Sequence, residues 1–187
     1  NYICREYLKY IKMIKKIAHI SDVHIRKSPS RNDEYYYVFN NLYKSLKKEK
    51  PDIIVLVGDI VNDYIDLQGE QLIMLGEFFN NLAEIAPVRV IRGNHDYQSK
   101  NKNRIDAVEA VLKNINNPNI IYYNETGFYD DDNVTWAVWK HGDKKISPWK
   151  LKTKTYNKEN TVIDLFHNTV NGSVNIFGFE FNSPTNV

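Results

Sequence analysis

The chain has 187 residues, 42% of them hydrophobic and 26% charged, with a formal net charge of +2 and a sequence pI near 8.5. Such a length and balance suit one domain with a real core and exclude a disordered chain, while the small charge makes any basic surface local. A single cysteine, Cys4, rules out an internal disulfide and points to a reducing, intracellular setting (cytoplasm or nucleus), and no run approaches the ~20 apolar residues of a membrane helix.

Residues 1–12 read as an N-terminal tail or extension, because "MIKKIAHIS" from Met13 has the look of a first strand's beginning. Ile17 to Ile20 form a short apolar run closed by Ser21-Asp22, which predicts a buried strand. Ser30 with Asp33 resembles a capping box, and the following helix carries Tyr35, Val38, Phe39, Leu42 and Leu46 on one predicted apolar face. Pro51 ends it.

"DIIVLVGD" is the clearest strand, since five consecutive apolar residues imply burial on both faces. A helix is predicted from Glu70 to Ile85 with Leu72, Leu75, Phe78, Phe79 and Leu82 inward, then a strand over 88–91. Another helix, Arg104 to Ile115, carries Ile105, Val108, Val111 and Leu112. This β-α-β-α-β-α order argues for parallel strands joined by crossover helices. Beyond about residue 118 the runs "NIIYY", "VTWAVW", "TVIDLF" and "VNIFGF" read as strands of a second sheet, with Asn171-Gly172 as a hairpin turn. The expected class is α/β: two packed mixed sheets flanked by helices.

Four predicted strands end in polar clusters: "SDVH", "GDIVND", "RGNHD" and "HN". One such end is weak evidence, since a single Asp is more often a helix cap. Four at the same end of predicted strands point to the ligand-binding edge of an α/β sheet. Carboxylate, imidazole and amide ligands without thiolate suit Mn²⁺, with Fe²⁺ or Zn²⁺ as alternatives. In Asp22-Val23-His24 an extended backbone would point the outer two side chains the same way. Asp59, with two oxygens, could bridge to a second ion, and two ions about 3.5–4 Å apart suit phosphoryl displacement.

"DVH", "GD", "GNHD" and a later lone His, in that order over roughly residues 16–168, resemble the calcineurin-like metallophosphoesterase superfamily. The resemblance implies a four-layer sandwich in which Asp22 and His24 hold one metal, Asp59 bridges, and Asn94 and His167 hold the second. His95 would be the general acid, oriented by the side-chain amide oxygen of Asn62, with Gly58 and Gly93 allowing close backbone approach and Asp96 holding the loop. Relatives add a Gly-His-x-His-like block; this chain reaches Val187 without one, so residues 13–187 read as a metallophosphoesterase domain that is C-terminally incomplete. His19, inside the first strand, reads as a core residue or as one supporting the ligands from behind, His141 reads as exposed loop, and neither fits the missing role.

Within that superfamily, "SRNDEYYYVFNNL" looks like the SbcD-like double-strand-break repair nucleases, and implies Arg31 near the DNA backbone. Lys150, Lys152 and Lys154, interleaved with Trp149 and Tyr156, are further candidates for nucleic-acid contact. The leading expectation is a two-metal DNA exonuclease or endonuclease of repair or replication. The likeness allows an ATPase partner subunit and a homodimer, and no membrane partner. The alternatives are a phosphoesterase of small nucleotides or phosphoproteins, and a metal-poor binding fragment without catalysis.

Overall fold

In a computed structural model, the described residues are 13–64, 67–100, 104–143, 147–152, 154–168, 173, 174, 178 and 180. The first sheet contains β1 (Ile17–Ile20), β2 (Ile53–Val57), β3 (Val88–Ile91) and β4 (Ile120–Tyr122), side by side in chain order and all parallel. Helices α1 (Asn32–Glu49), α2 (Gly69–Ala83) and α3 (Ala107–Ile115) make the crossovers. All three pack on one face of the sheet, as same-handed crossovers between consecutive neighbours require.

β2 explains why its run is apolar throughout. Ile54 and Leu56 face the helices, where they meet Phe78, Phe79 and Leu82. Ile53, Val55 and Val57 face the other way, onto a second sheet of β5 (Gly127–Asp131), β6 (Val134–Trp139) and β7 (Thr161–Phe166). β5 and β6 are antiparallel, β6 and β7 parallel, and Trp136 of β6 is fully enclosed between the layers. The sheets are also pinned by charge: Arg89 of β3 donates from Nε and Nη2 to Asp131 of β5 at 2.6 and 2.9 Å, and Trp136 Nε1 donates to the same carboxylate.

Several expectations change. β4 joins the first sheet beside β3 rather than the second, and β5 was not foreseen. β1 is an edge strand, so Ile17 and His19 point toward the second sheet's side but remain exposed; His19 is not a core residue. The capping box does not form. A 3₁₀ turn at Pro29–Arg31 leads into α1, whose N-cap is Arg31 with no side-chain cap, and the Ser30 hydroxyl pairs with that of Ser28. Val38, Leu72 and Ile105 are exposed rather than inward, while Met74 fills a place in the core; Ile105 precedes α3, which begins at Ala107, three residues later than expected. Asn171-Gly172 and most of "VNIFGF" lie outside the described residues. No helix among the described residues is long and apolar enough to cross a membrane.

Candidate metal centre

The segments leaving β1, β2, β3 and β7 meet at one end of the sheets. Asp59, buried, is the hub. Its Oδ1 accepts the His95 backbone N–H at 2.9 Å, which leaves Oδ2 facing three imidazoles. From that oxygen the Nε2 atoms of His167, His24 and His95 lie 3.2, 3.7 and 3.9 Å away. Asp22 Oδ1 is 3.7 Å from His24 Nε2. Thus Asp22, His24, Asp59, His95 and His167, spread over most of the chain, surround a common point. Asn94 lines one cavity with Asp22 and His167.

Distance divides these side chains into two triads. His24, Asp59 and His95 present ligand atoms within 4.8 Å of one another, and so do Asp22, Asp59 and His167. Asp59 is the shared vertex. Separations of 3.7–3.9 Å between imidazole and carboxylate exceed hydrogen-bonding length. Two carboxylates and three imidazoles converging in this way, with only His167 Nε2 and Asp59 Oδ2 within hydrogen-bonding reach of each other at 3.2 Å, fit divalent cations of borderline character. His24 Nδ1 is buried and has no hydrogen-bond partner among the described residues.

The backbone that carries these ligands is unusual. Asp22, His24 and Asp59 all have left-handed φ, at 56°, 49° and 52°. The expected extended Asp22-Val23-His24 is therefore replaced by two left-handed residues, which turn both side chains to one side. Non-glycine residues in this region carry local strain, held here by the surroundings. The hold is a hydrogen-bond ladder running past the strand ends: the N–H groups of Asp22, His24 and Ile25 donate to the carbonyls of Gly58, Asp59 and Ile60 at 3.2, 3.0 and 3.0 Å. The Tyr35 hydroxyl of α1 donates to the His24 carbonyl at 2.6 Å and accepts the Arg26 N–H. Tyr35, read from sequence as part of an apolar face, thus steadies a ligand loop.

Gly58 and Gly93 have the close-approach role expected of them. A Cβ on Gly93 would stand 2.2 Å from Asp59 Oδ1 and 2.4 Å from the Asp59 backbone nitrogen. On Gly58, whose φ is +77°, a Cβ would meet the His167 ring at 2.6 Å. Asp96 ties the two loops together by accepting the N–H groups of Ile60, Val61 and Gly93 at 2.9, 3.0 and 2.7 Å. Burial pushes its carboxyl up to about 6, against the pull of those N–H donors, with nearby Asp59 and Asp106 raising it further.

His95 Nδ1 lies 2.6 Å from the backbone carbonyl of Asn62. A carbonyl only accepts, so Nδ1 carries the proton and Nε2 is the end turned toward Asp59. This corrects the assignment to the Asn62 side-chain amide. His141 is not a plain exposed loop residue either. Its Nδ1 is 3.2 Å from the Tyr97 hydroxyl, its carbonyl accepts from Arg92, and its ring centroid is 6.3 Å from that of His167. His19 lines the Asp22–Asn94–His167 cavity. Polar residues near the strand ends were the signal for both; their register was not legible.

Arg31 lines a second cavity beside Asp22 and His24, with its Nε donating to Glu34 at 2.8 Å. Lys150, Lys152 and Lys154 line neither of these cavities. They flank Trp149 and Tyr156, which pack on Phe128 over the outer face of the second sheet, and Trp149 Nε1 donates to Asp164.

Parallel strands over a mixed sheet, ending in a cluster of Asp and His side chains able to hold metal ions, are the frame of a metallophosphoesterase. The chain belongs to the calcineurin-like phosphoesterase family, whose family model matches residues 15–184. It is 36% identical over 179 residues to "Uncharacterized protein R555" of Acanthamoeba polyphaga mimivirus, covering 91% of this chain and 13% of that protein. It is 29% identical over 89 residues to the SbcD component of the nuclease SbcCD from Staphylococcus saprophyticus, 46% of this chain and 24% of that protein. The chain therefore spans a quarter or less of either relative's length. Among solved structures it aligns with the nuclease MPE of Pseudomonas putida at a TM-score of 0.43 and 16% identity, over 79% of this chain and 59% of that one.

Proposed function

We propose that the chain is a divalent-metal-dependent phosphodiesterase acting on DNA, as an exonuclease or endonuclease of repair or replication. The observation that carries the reading is Asp59 as the common vertex of two Asp/His triads, one of which includes His95. By the family resemblance Asp22 and His24 would hold one ion, Asn94 and His167 the other, and Asp59 both; this assignment pairs Asp22 and His24 across the two triads, 3.7 Å apart. When bound, Mn²⁺, Fe²⁺ or Zn²⁺ would supply Lewis acidity and an acidified water.

The chain's own groups do the rest. The Asn62 carbonyl fixes the His95 ring so that Nε2 faces the reacting centre, and the protonated ring gives its Nε2 proton to the departing oxygen. The His167 Nδ1, 2.9 Å from the Val57 carbonyl, is likewise held protonated, which presents Nε2 as the ligand atom. Arg31 beside the centre would take a DNA phosphate, with Lys150, Lys152 and Lys154 as a peripheral contact. The name of the staphylococcal relative, a nuclease subunit, supports a nucleic-acid substrate. Assembly with an ATPase partner and with a second copy belongs to the same reading.

The test is degradation of linear DNA with Mn²⁺, which chelation and His95→Ala should both abolish. Hydrolysis of bis-p-nitrophenyl phosphate, dependent on His95 but without DNA cleavage, would move the substrate to small phosphoesters.

A further inference from the structure

We infer that the cavity beside Asp22 and His24 is a nucleobase pocket, receiving the base next to the phosphate held at the metal centre. The inference rests on the phosphodiesterase reading and adds the part of the substrate that lies outside the reacting group. The cavity measures about 500 Å³ and opens between the segment after β1 and the first turns of α1. Its floor is aromatic: Phe39 and Phe78, with ring centroids 4.5 Å apart. Its walls are aliphatic: Ile20, Val38 and Leu42.

Val38 of α1 is 57% exposed and lines this space. Arg26 also lines the cavity, two residues beyond His24, exposed, and its guanidinium makes no hydrogen bond or ion pair among the described residues. Arg31 lines the same cavity and pairs with Glu34 at the surface, which leaves it able to meet a neighbouring phosphate. An apolar slot of this size with one uncommitted cation at its side, sharing two residues with a phosphate-handling centre, matches a nucleotide part by part. The flat faces of the base suit the aliphatic walls and aromatic floor, and the anionic backbone suits Arg26. A phosphorylated side chain of a protein would use the cation and leave the slot empty.

Thymidine 5′-monophosphate and 2-deoxyribose 5-phosphate, titrated with Mg²⁺ into the full chain, separate base from phosphate. The nucleotide should bind at least about tenfold more tightly, the scale of one base contact. Nuclear Overhauser effects should link the thymine protons to the methyl groups of Val38 and Leu42. Arg26→Ala should weaken both ligands alike and keep those contacts. A single-stranded oligonucleotide should displace the nucleotide if the base comes from DNA; failure to do so while the nucleotide contacts Val38 would assign the pocket to free nucleotides. Equal binding of the two ligands, no binding, or nucleotide binding without contact to Val38 and Leu42 would overturn the inference. Cleavage of thymidine 5′-(p-nitrophenyl phosphate) by the unmodified chain reports separately on the phosphodiesterase reading.

Discussion

The ring of His95 is held by the backbone of Asn62: Nδ1 sits 2.6 Å from the carbonyl oxygen, and the amide side chain is not the partner. Asn62→Ala should therefore change DNA or diester hydrolysis by less than about threefold, whereas His95→Ala should lower it by about 10² or more. A large loss in Asn62→Ala would show that the side chain, not the carbonyl, orients the ring.

Metal stoichiometry should follow the shared vertex. Calorimetric titration with Mn²⁺ should find two ions in the unmodified chain and one in His167→Ala. Asp59→Ala should lose both sites, since Asp59 belongs to both triads. Retention of one tight ion in Asp59→Ala would contradict the bridging geometry.

Gly93→Ala should fail in the fold as well as in the site. The added carbon would stand 2.4 Å from the Asp59 backbone nitrogen, an atom that cannot swing aside as a side chain would. A loss of about 2 kcal/mol or more in urea unfolding is expected, together with weakened Mn²⁺ uptake.

Tyr35→Phe keeps the ring against Phe39 and removes only the hydroxyl that donates to the His24 carbonyl. Stability should fall by about 1 kcal/mol. Affinity for the first Mn²⁺ should fall as well, because the loop bearing Asp22 and His24 loses a tether.

Asp131→Ala should be more damaging than its position near a strand end suggests. It would strand the Arg89 guanidinium, only 9% exposed, between the sheets, and deprive Trp136 Nε1 of its acceptor. Breaking such a pair costs about 3–5 kcal/mol, while the double replacement Arg89→Leu/Asp131→Leu should cost less. Urea midpoints for the three variants decide it.

The residues that bring chemistry to this site were legible because each follows a strongly apolar strand, and the strand ends of an α/β sheet are where the chain can present polar groups. What was not legible was set by tertiary context. Ile120–Tyr122 is three residues long, too short for its pattern to say which sheet it joins. Gly127–Asp131 hides as a strand because its acids serve pairing: Asp131 with Arg89, Asp130 with Thr135 and Asn157. Val38 and Leu72 satisfy helical periodicity yet face out, since a stripe fixes a helix's apolar side without saying how wide a neighbour will cover it. Left-handed φ at Asp22, His24 and Asp59 has no periodic signature at all.

The ladder from Asp22, His24 and Ile25 to Gly58, Asp59 and Ile60 has a consequence for how the centre opens. Neither loop can peel away without exposing the N–H groups of one and the carbonyls of the other, so the pair should breathe as one cooperative unit. In hydrogen–deuterium exchange the amides of Asp22, His24 and Ile25 should share a single protection free energy, and the Asp96-bound amides of Ile60, Val61 and Gly93 should share it too.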